Sequence, residues 1–175
     1  WLRSAENSIE RASSMSAQCV PCDDGWVMCR LGPLSCPTAM MQQIVGLLQA
    51  RFPAYSWVGI YLLEGRELVL GPFVGKPSPH TRIPLGRGIC GAAATSKATI
   101  IVDDVSSDPR YLACSLETKS EIVVPIMNGR EVLGEIDIDS DRPAAFTAAD
   151  RTLLESVAAL MAREMDRPVQ TFSVA

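Results

Sequence analysis

The sequence has little of what several common classes of site require. It contains one histidine, His80, and its formal net charge is −4 with no run of Lys and Arg. A histidine-ligated metal site or a Ser-His-Asp triad would have to use His80, and no supporting pattern surrounds it. Nucleic acid needs a cationic surface, so the charge argues against nucleic acid as a partner.

Long hydrophobic runs are also missing. The best candidate, YSWVGIYLL, is far shorter than the roughly 18 residues that indicate a membrane helix. The N-terminus has no apolar core of a signal peptide. We therefore expect a cytoplasmic protein without a membrane partner. The 175 residues are 47% hydrophobic, which suits one domain with a sizeable core and an extension.

The six cysteines, at positions 19, 22, 29, 36, 90 and 114, are unevenly placed. The first four could form a four-thiolate zinc site, but the second pair lacks the usual Cys-x2-Cys spacing. The weak periodicity and the Pro and Gly content of this segment favour a disordered or non-native extension instead. We expect the extension at residues 1–37, the folded domain at 38–166 and a tail at 167–175. Because the chain begins with Trp1, we expect it to be a fragment or to include upstream read-through.

Hydrophobic periodicity predicts an α+β fold. Helical spacing predicts a helix over residues 38–52, and YSWVGIYLL and ELVLGPFVG predict an antiparallel hairpin around EGR. TRIPL predicts an edge strand because Pro84 removes one ladder hydrogen bond. GRGICGAAATSK predicts a short helix and ATIIVDDV a strand. Asn128-Gly129 predicts a second hairpin, between EIVVPIM and EVLGEIDID.

A capping box predicts where the last helix begins. Thr147 and Asp150 have the required spacing. The core face of this helix is predicted to carry Leu153, Leu154, Val157, Leu160 and Met161. Together the elements predict a central, mainly antiparallel sheet of about six strands flanked by helices.

One predicted strand carries a row of carboxylates. Side chains alternate along a strand, so Glu135, Asp137 and Asp139 share one face at about 6.6 to 6.8 Å spacing. Such a row repels itself unless it is solvated or paired with a cation. Two interpretations stay open, an exposed acidic face and a pocket wall that binds an ammonium group. A calcium loop is rejected, because Arg142 and Ala148 replace the glycine and glutamate that it needs.

Aromatic residues mark a second candidate site. Trp57, Gly59 and Tyr61 share one face of the first strand of the domain. Two large rings with a glycine between them leave a gap the size of a small group. The gap suits the apolar part of a ligand, and ordinary core aromatics are the alternative.

GRGICG matches the glycine pattern of dinucleotide-binding turns. Against that function, the preceding strand carries Arg82 and Pro84, where a buried parallel strand would be continuously apolar. The same geometry places Cys90 at a helix N-terminus, where the dipole favours the thiolate. A buried structural cysteine is the alternative.

Cys114 stands in a polar loop, an unusual position for an unbonded cysteine. The nearby carboxylates raise the pKa of a thiol. Reactivity at Cys114 would therefore need help from Arg110, from backbone N–H groups or from the substrate.

Several motifs together resemble the GAF-fold free methionine-(R)-sulfoxide reductases. The motifs, which run from about residue 40 to 165, are GPFVGKP, TRIPLGRGICGAAA, YLACSLETKSEIVVPI and GEIDIDS followed by FTAADRTLLE. The resemblance implies reduction of free methionine-(R)-sulfoxide to methionine through a cysteine sulfenic acid. It implies no metal and no organic cofactor, but an external thiol reductant such as a thioredoxin-type system. A homodimer is one option for the assembly.

The resemblance also implies roles for individual residues. Cys114 would be the nucleophile, and Cys90 matches the family's other cysteine. Glu121, Asp137 and Asp139 would bind the substrate ammonium group and hydrogen-bond the sulfoxide oxygen. Trp57 and Tyr61 would receive its methyl end.

The chain departs from the family at one place. Ser78 to Thr81, after GKP, contain no cysteine, although the family usually carries its resolving cysteine there. Cys90 or an external thiol is then expected to resolve the sulfenic acid. The missing cysteine keeps an alternative open, a non-catalytic GAF module that binds a small ligand or acts as a sensor.

Overall fold

The structure is a computed structural model that describes residues 19–21, 27–29, 37–112 and 115–166. The chain divides into two units, Trp1–Ile44 and Val45–Ala175. In the first unit, β1 (Cys19–Pro21) pairs antiparallel with β2 (Val27–Cys29). Most of residues 1–37 and all of 167–175 lie outside the described residues, so the extension, the zinc alternative and the tail stay predictions.

Helix α1 (Pro37–Arg51) crosses the boundary between the two units. Proline is favoured at the first position of a helix, where its missing N–H would have no partner. The helix ends two residues before Pro53, whose ring disfavours helical backbone in the residue before it. The helix predicted over residues 38–52 is confirmed.

The second unit is built on a six-stranded sheet. Its strands, in spatial order, are β5 (Arg82–Pro84), β4 (Glu67–Val74), β3 (Trp57–Glu64), β8 (Glu131–Ser140), β7 (Ser120–Asn128) and β6 (Ile100–Val102). Every neighbouring pair is antiparallel. The sheet confirms the predicted α+β class, both hairpins and the edge position of the strand that contains Pro84.

Helices cover both faces of this sheet. Helix α2 (Gly88–Ser96) lies on one face, where Ile89, Cys90 and Ala93 join a buried cluster with Tyr61 and Val123. A 3-10 turn follows at Val105–Ser107. Helix α3 (Ala148–Met165) packs against β7 and β8. No helix in the described ranges is long and apolar enough to cross a membrane.

The predicted capping box is present at the start of α3. The Thr147 hydroxyl accepts from the Asp150 backbone N–H, and the Asp150 carboxylate accepts from the Thr147 backbone N–H. The prediction that Leu160 lies on the core face is wrong, because its side chain is 36% exposed. The buried stripe runs through Leu154, Ala158 and Met161. At 100° per residue, Leu160 lies about 120° around the helix from Leu154.

Candidate functional site

Strand register brings the acidic and aromatic rows together. Across the β3–β8 pair, Trp57 lies opposite Asp139, Gly59 opposite Asp137, and Tyr61 opposite Glu135. On the other side of β8, Glu121 of β7 lies opposite Asp139. Paired residues in a sheet point to the same face. Two motifs that are about 80 residues apart in sequence therefore form one surface.

The acidic row is buried, which excludes an exposed acidic face. Glu121, Asp137 and Asp139 are at most 5% exposed, and Glu135 is 0% exposed. Burial raises the pKa of Asp137 to about 7. Burial, and then the neighbouring carboxylates, raise the pKa values of Glu121 and Asp139. At neutral pH the row therefore contains protonated acids, which can donate hydrogen bonds.

Helix α2 places Cys90 directly over this row. Its thiol Sγ lies 3.4 Å from Oδ2 of Asp137 and 3.9 Å from Oε1 of Glu121. Burial, and then the charges of Asp137, Glu135 and Glu121, raise the pKa of Cys90 well above its usual value. The prediction that the helix dipole favours the thiolate here is wrong, because desolvation and three acids outweigh a dipole. Cys90 is held as a neutral, buried thiol, and its catalytic role stays a prediction.

Two glycines fix the indole of Trp57. A Cβ on Gly59 would lie 2.1 Å from Cη2 of the ring, and a Cβ on Gly75 would lie 2.5 Å from Cδ1. Gly75 also has φ +130°, which side chains rarely adopt. The gap predicted beside Gly59 is therefore occupied by the ring of Trp57. Phe73 stacks on the indole at a centroid distance of 5.9 Å.

Tyr61 lies deeper than Trp57. Its ring is 0% exposed, and its hydroxyl donates to the backbone oxygen of His80 at 2.8 Å. The ring centroids of Tyr61 and Trp57 are 6.4 Å apart. Tyr61 thus supports the Trp57 side of the site and holds the loop after β4, and its contact with substrate stays a prediction.

A cavity of about 70 Å³ opens beside Trp57 and Asp139. Two loops form its rim, the segment after β4 and the segment before β7. Ala113 and Cys114 lie outside the described residues, but Ser115, the next residue, lines the cavity. Its lining is Ser56, Trp57, Lys76, Ser78, Ser115, Glu117, Thr118, Asp139 and Asp141. Ser78 is the first residue of the stretch Ser78 to Thr81, where the family usually carries its resolving cysteine. The start of that stretch therefore faces the cavity.

The part of the chain that contains the six-stranded sheet matches a known domain family. The family model described as the GAF domain matches residues 37–165, which contain the whole six-stranded sheet and its helices. The chain belongs to the GAF domain family. The predicted fold family is confirmed.

Several relatives of this GAF domain carry the name free methionine-R-sulfoxide reductase. The Escherichia coli protein named free methionine-R-sulfoxide reductase is 38% identical over 69% of this chain and 73% of its own length. A structure of a type II free methionine-R-sulfoxide reductase from Thermoplasma acidophilum matches with a TM-score of 0.72 and 44% identity, over 73% of this chain and 91% of that chain. The Neisseria meningitidis reductase, solved with its substrate, matches with a TM-score of 0.72 and 36% identity, over 75% and 79% of the two chains.

The glycine-rich turn of this GAF domain is closed on itself. The Gly86 N–H donates to the Gly91 oxygen, and the Arg87 N–H donates to the Pro84 oxygen. A Cβ on Gly91 would lie 2.6 Å from the Pro84 oxygen, so the glycine serves a close contact between helix and strand. A dinucleotide turn needs free N–H groups that point at phosphate, and these two are already used.

One thiol and two carboxylates lie within metal-binding reach of each other. Ligand atoms of Cys90, Glu121 and Asp137 are all within 4.8 Å of one another. A cation needs the deprotonated forms. Burial raises the pKa values of all three groups, so a hydrogen-bonded set of protonated groups describes them better than a cation site.

The sequence placed Glu135 in the acidic row, but the resemblance gave it no role. Two further residues at the site, Lys76 and Glu117, lie outside the set predicted from the sequence. Lys76 and Glu117 form an ion pair of 2.9 Å at the rim of the cavity. The GKP motif contains Lys76, but no sequence signal joins it to a carboxylate 41 positions away.

A larger cavity lies away from the acidic row. It has a volume of about 590 Å³, and its lining includes Leu63, Arg66, Lys97, Arg130 and Val132. Leu63 is near the end of β3 opposite to Trp57, so about 20 Å of strand separates the two cavities. This cavity shares no lining residue with the small one.

Proposed function

We propose that this GAF domain reduces free methionine-(R)-sulfoxide to methionine, with Cys114 as the nucleophile. The observation that carries the proposal is the buried row of Glu121, Asp137 and Asp139. Asp139, at one end of this row, lies opposite Trp57 and lines the same cavity as Trp57 and Ser115. Relatives named for this reaction, at 38% identity and above, support the proposal.

The chemistry transfers one oxygen atom from substrate to protein. The sulfur of Cys114 attacks the sulfoxide sulfur, the S–O bond breaks, and the oxygen is transferred to the cysteine sulfur. The products are methionine and a Cys114 sulfenic acid. The cysteine sulfur is oxidised and the substrate sulfur is reduced. The thiol gives up one proton and the transferred oxygen gains one, so no net proton is consumed.

Glu121 supplies the proton in this scheme. Burial raises its pKa, so the carboxyl is protonated at neutral pH and can donate to the sulfoxide oxygen. The proton released by the Cys114 thiol then restores the Glu121 carboxyl. A neutral acid is needed here, because a carboxylate would repel the partial negative charge on the sulfoxide oxygen.

Asp137 and Asp139 bind the ammonium group. Crowding keeps part of the row protonated, but the pKa of Asp137, about 7, allows one carboxylate to form near neutral pH. A bound ammonium group stabilises that carboxylate and lowers its pKa further. The indole of Trp57, held by Gly59 and Gly75, provides the apolar wall for the methyl end.

Regeneration uses a thiol. The sulfenic acid condenses with a thiol, with loss of water, and a second thiol reduces the disulfide. A thioredoxin-type reductant in the cytoplasm, where thiols are kept reduced, supplies these equivalents. Cys90 is the intramolecular alternative, although its raised thiol pKa makes it a slow partner at neutral pH.

Epimer selectivity and disulfide mapping test this function. With a thiol reductant, the wild-type protein is expected to release methionine from free methionine-(R)-sulfoxide and not from the S epimer. Mass spectrometry after oxidation then separates the two routes of regeneration. A Cys90–Cys114 disulfide identifies Cys90 as the resolving cysteine, and an adduct of the added thiol on Cys114 identifies an external one. No methionine from either epimer would reject the proposal.

A further inference from the structure

The α-carboxylate of a free amino acid carries the same charge as the acidic side chains of this site. The ammonium group of the amino acid suits the acidic row, but its α-carboxylate would enter a cavity lined by Asp139, Asp141 and Glu117. A carboxylate of the substrate inside this cavity would be repelled by these acidic side chains unless a cation lies between them. The cavity, of about 70 Å³, is large enough to admit small polar groups, because a single water needs only about 10–15 Å³ of such volume.

Lys76 is the only cationic residue among the described residues that line this cavity. Its backbone is fixed to the proposed methyl-binding ring, because the Trp57 Nε1–H donates to the Lys76 oxygen at 3.0 Å. Gly75, just before it, packs against the same indole. The start of the lysine side chain therefore has a defined position relative to Trp57.

Glu117 holds the far end of the lysine in a weak, replaceable contact. Lys76 Nζ lies 2.9 Å from Glu117 Oε1, and the two side chains are 73% and 55% exposed. Hydrogen bonds from Ser115 and from Lys76 lower the pKa of Glu117 to about 2, so this carboxylate is charged. An exposed pair of this kind is screened by water and contributes little to stability. A second carboxylate can take the place of Glu117 without exposing a buried charge.

We propose that Lys76 binds the α-carboxylate of the substrate and makes the enzyme selective for the free amino acid. The inference rests on the proposed function and identifies its specificity determinant. Asp139 and Lys76 line the same cavity, so the two charged groups on one substrate Cα meet partners of opposite sign. Glu117 occupies the carboxylate position when substrate is absent.

The test compares free methionine-(R)-sulfoxide with its α-amide, which lacks the carboxylate. Wild type is expected to prefer the free acid by at least tenfold in kcat/KM. Lys76→Met should lose at least tenfold on the free acid, mainly through KM, and little on the amide, so that the preference falls to within about twofold. Lys76→Arg keeps the charge and should keep most of the preference. Lys97→Met, which removes the same charge at the larger cavity, should leave both substrates unchanged.

Glu117→Gln distinguishes two roles for Lys76. The lysine either binds the substrate carboxylate or only links the two loops through its ion pair with Glu117. If Lys76 binds the carboxylate, this variant frees the lysine, and the KM for the free acid should stay equal or fall. If the ion pair only holds the loops together, Glu117→Gln and Lys76→Met should raise KM equally, and the proposal would be overturned.

Calorimetry with methionine and methioninamide gives a readout that does not depend on turnover. Wild type should bind methionine at least tenfold more tightly than the amide, and Lys76→Met should bind both alike. A protein that shows this difference but reduces no sulfoxide would refute the proposed function and keep the role of Lys76. A Lys76→Met variant that retains the preference would refute the role of Lys76 alone.

Discussion

Trp57 illustrates how the smallest residues set the position of the largest. The indole lies over Gly59 and against Gly75, its Nε1–H donates to the Lys76 oxygen, and Phe73 stacks on its face. The ring therefore stays in one place although it stands at the rim of a cavity. Positioning of this kind matters for catalysis, because small misplacements of a binding group reduce rates strongly.

Gly59→Ala should displace the indole of Trp57. The new methyl group would lie 2.1 Å from Cη2, so the ring has to move. We expect the KM for free methionine-(R)-sulfoxide to rise about tenfold, and stability to fall by about 1–3 kcal/mol from overpacking. Steady-state kinetics and urea unfolding measure the two effects. Gly46→Ala is the matched control, because its Cβ would have no atom within 4 Å other than its chain neighbours and the nearby backbone of its own helix. Equal KM values for both variants would contradict a fixed indole.

Glu121 should give the reaction a pH dependence. Burial raises its pKa, and only the protonated form donates a hydrogen bond. We expect kcat/KM to fall as pH rises through the pKa of Glu121. Glu121→Gln should lose about 10²- to 10⁴-fold in rate, the usual contribution of a general acid, together with this pH limb. A pH–rate profile of Glu121→Gln that matches that of wild type would rule out the donor role.

Strand β8 has two faces of opposite character, both buried. Ile136 and Ile138 are 0% exposed on one face, and the acidic row is buried on the other. Both oxygens of Glu135 have no hydrogen-bond partner among the described residues. A buried ionised carboxylate without a partner is strongly destabilising, so the neutral form is favoured.

These acids should make the protein less stable as pH rises. Burial raises the pKa of Glu135 in the folded state, whereas an unfolded Glu ionises near pKa ~4.3. Above that pH the folded state binds more protons than the unfolded state, so the free energy of unfolding falls with rising pH. Asp137 adds to this fall between about pH 4 and its folded pKa of about 7.

Glu135→Gln should flatten this dependence. Glutamine is neutral in both states, so the contribution of Glu135 to the slope disappears. Between pH 5 and pH 8 we expect the variant to lose at least about 1.4 kcal/mol less stability than wild type, the equivalent of one pKa unit. Urea unfolding at both pH values measures this. Glu131→Gln, on the exposed start of the same strand, should keep the wild-type slope, and equal slopes for all three proteins would contradict a buried ionisable Glu135.

The elements were predictable because their signals are local. The period of two in residues 120–140 and the Asn128-Gly129 turn specify the β7–β8 hairpin, and Thr147 with Asp150 specifies the start of α3. Cys90 shows the limit of local reasoning. The prediction that Cys90 lies near a helix N-terminus is confirmed. The pKa of its thiol, however, depends on Asp137 and Glu121, which are 47 and 31 positions away in the sequence.

At the scale of the molecule, the sequence alone left the acidic row ambiguous. Alternation assigns Glu135, Asp137 and Asp139 to one face but does not say what covers that face. Helix α2 covers it, and the loop contact between Lys76 and Glu117 lies at the rim. The cover by helix α2 and the Lys76–Glu117 contact both depend on which segments, distant in sequence, come together in the fold. The family resemblance assigned the acids to the site, but it did not assign Lys76.

The central claim is that Cys114 takes the oxygen of free methionine-(R)-sulfoxide within this GAF domain. An anaerobic single-turnover experiment with fully reduced protein tests it most directly, with methionine quantified and the Cys114 peptide analysed for trapped sulfenic acid. We predict about one methionine per chain, matched by oxidation of Cys114 to a sulfenic acid or to the Cys90–Cys114 disulfide that forms from it, and no methionine from Cys114→Ser. Methionine release by Cys114→Ser at the wild-type rate, or none from the reduced wild type, would contradict the account.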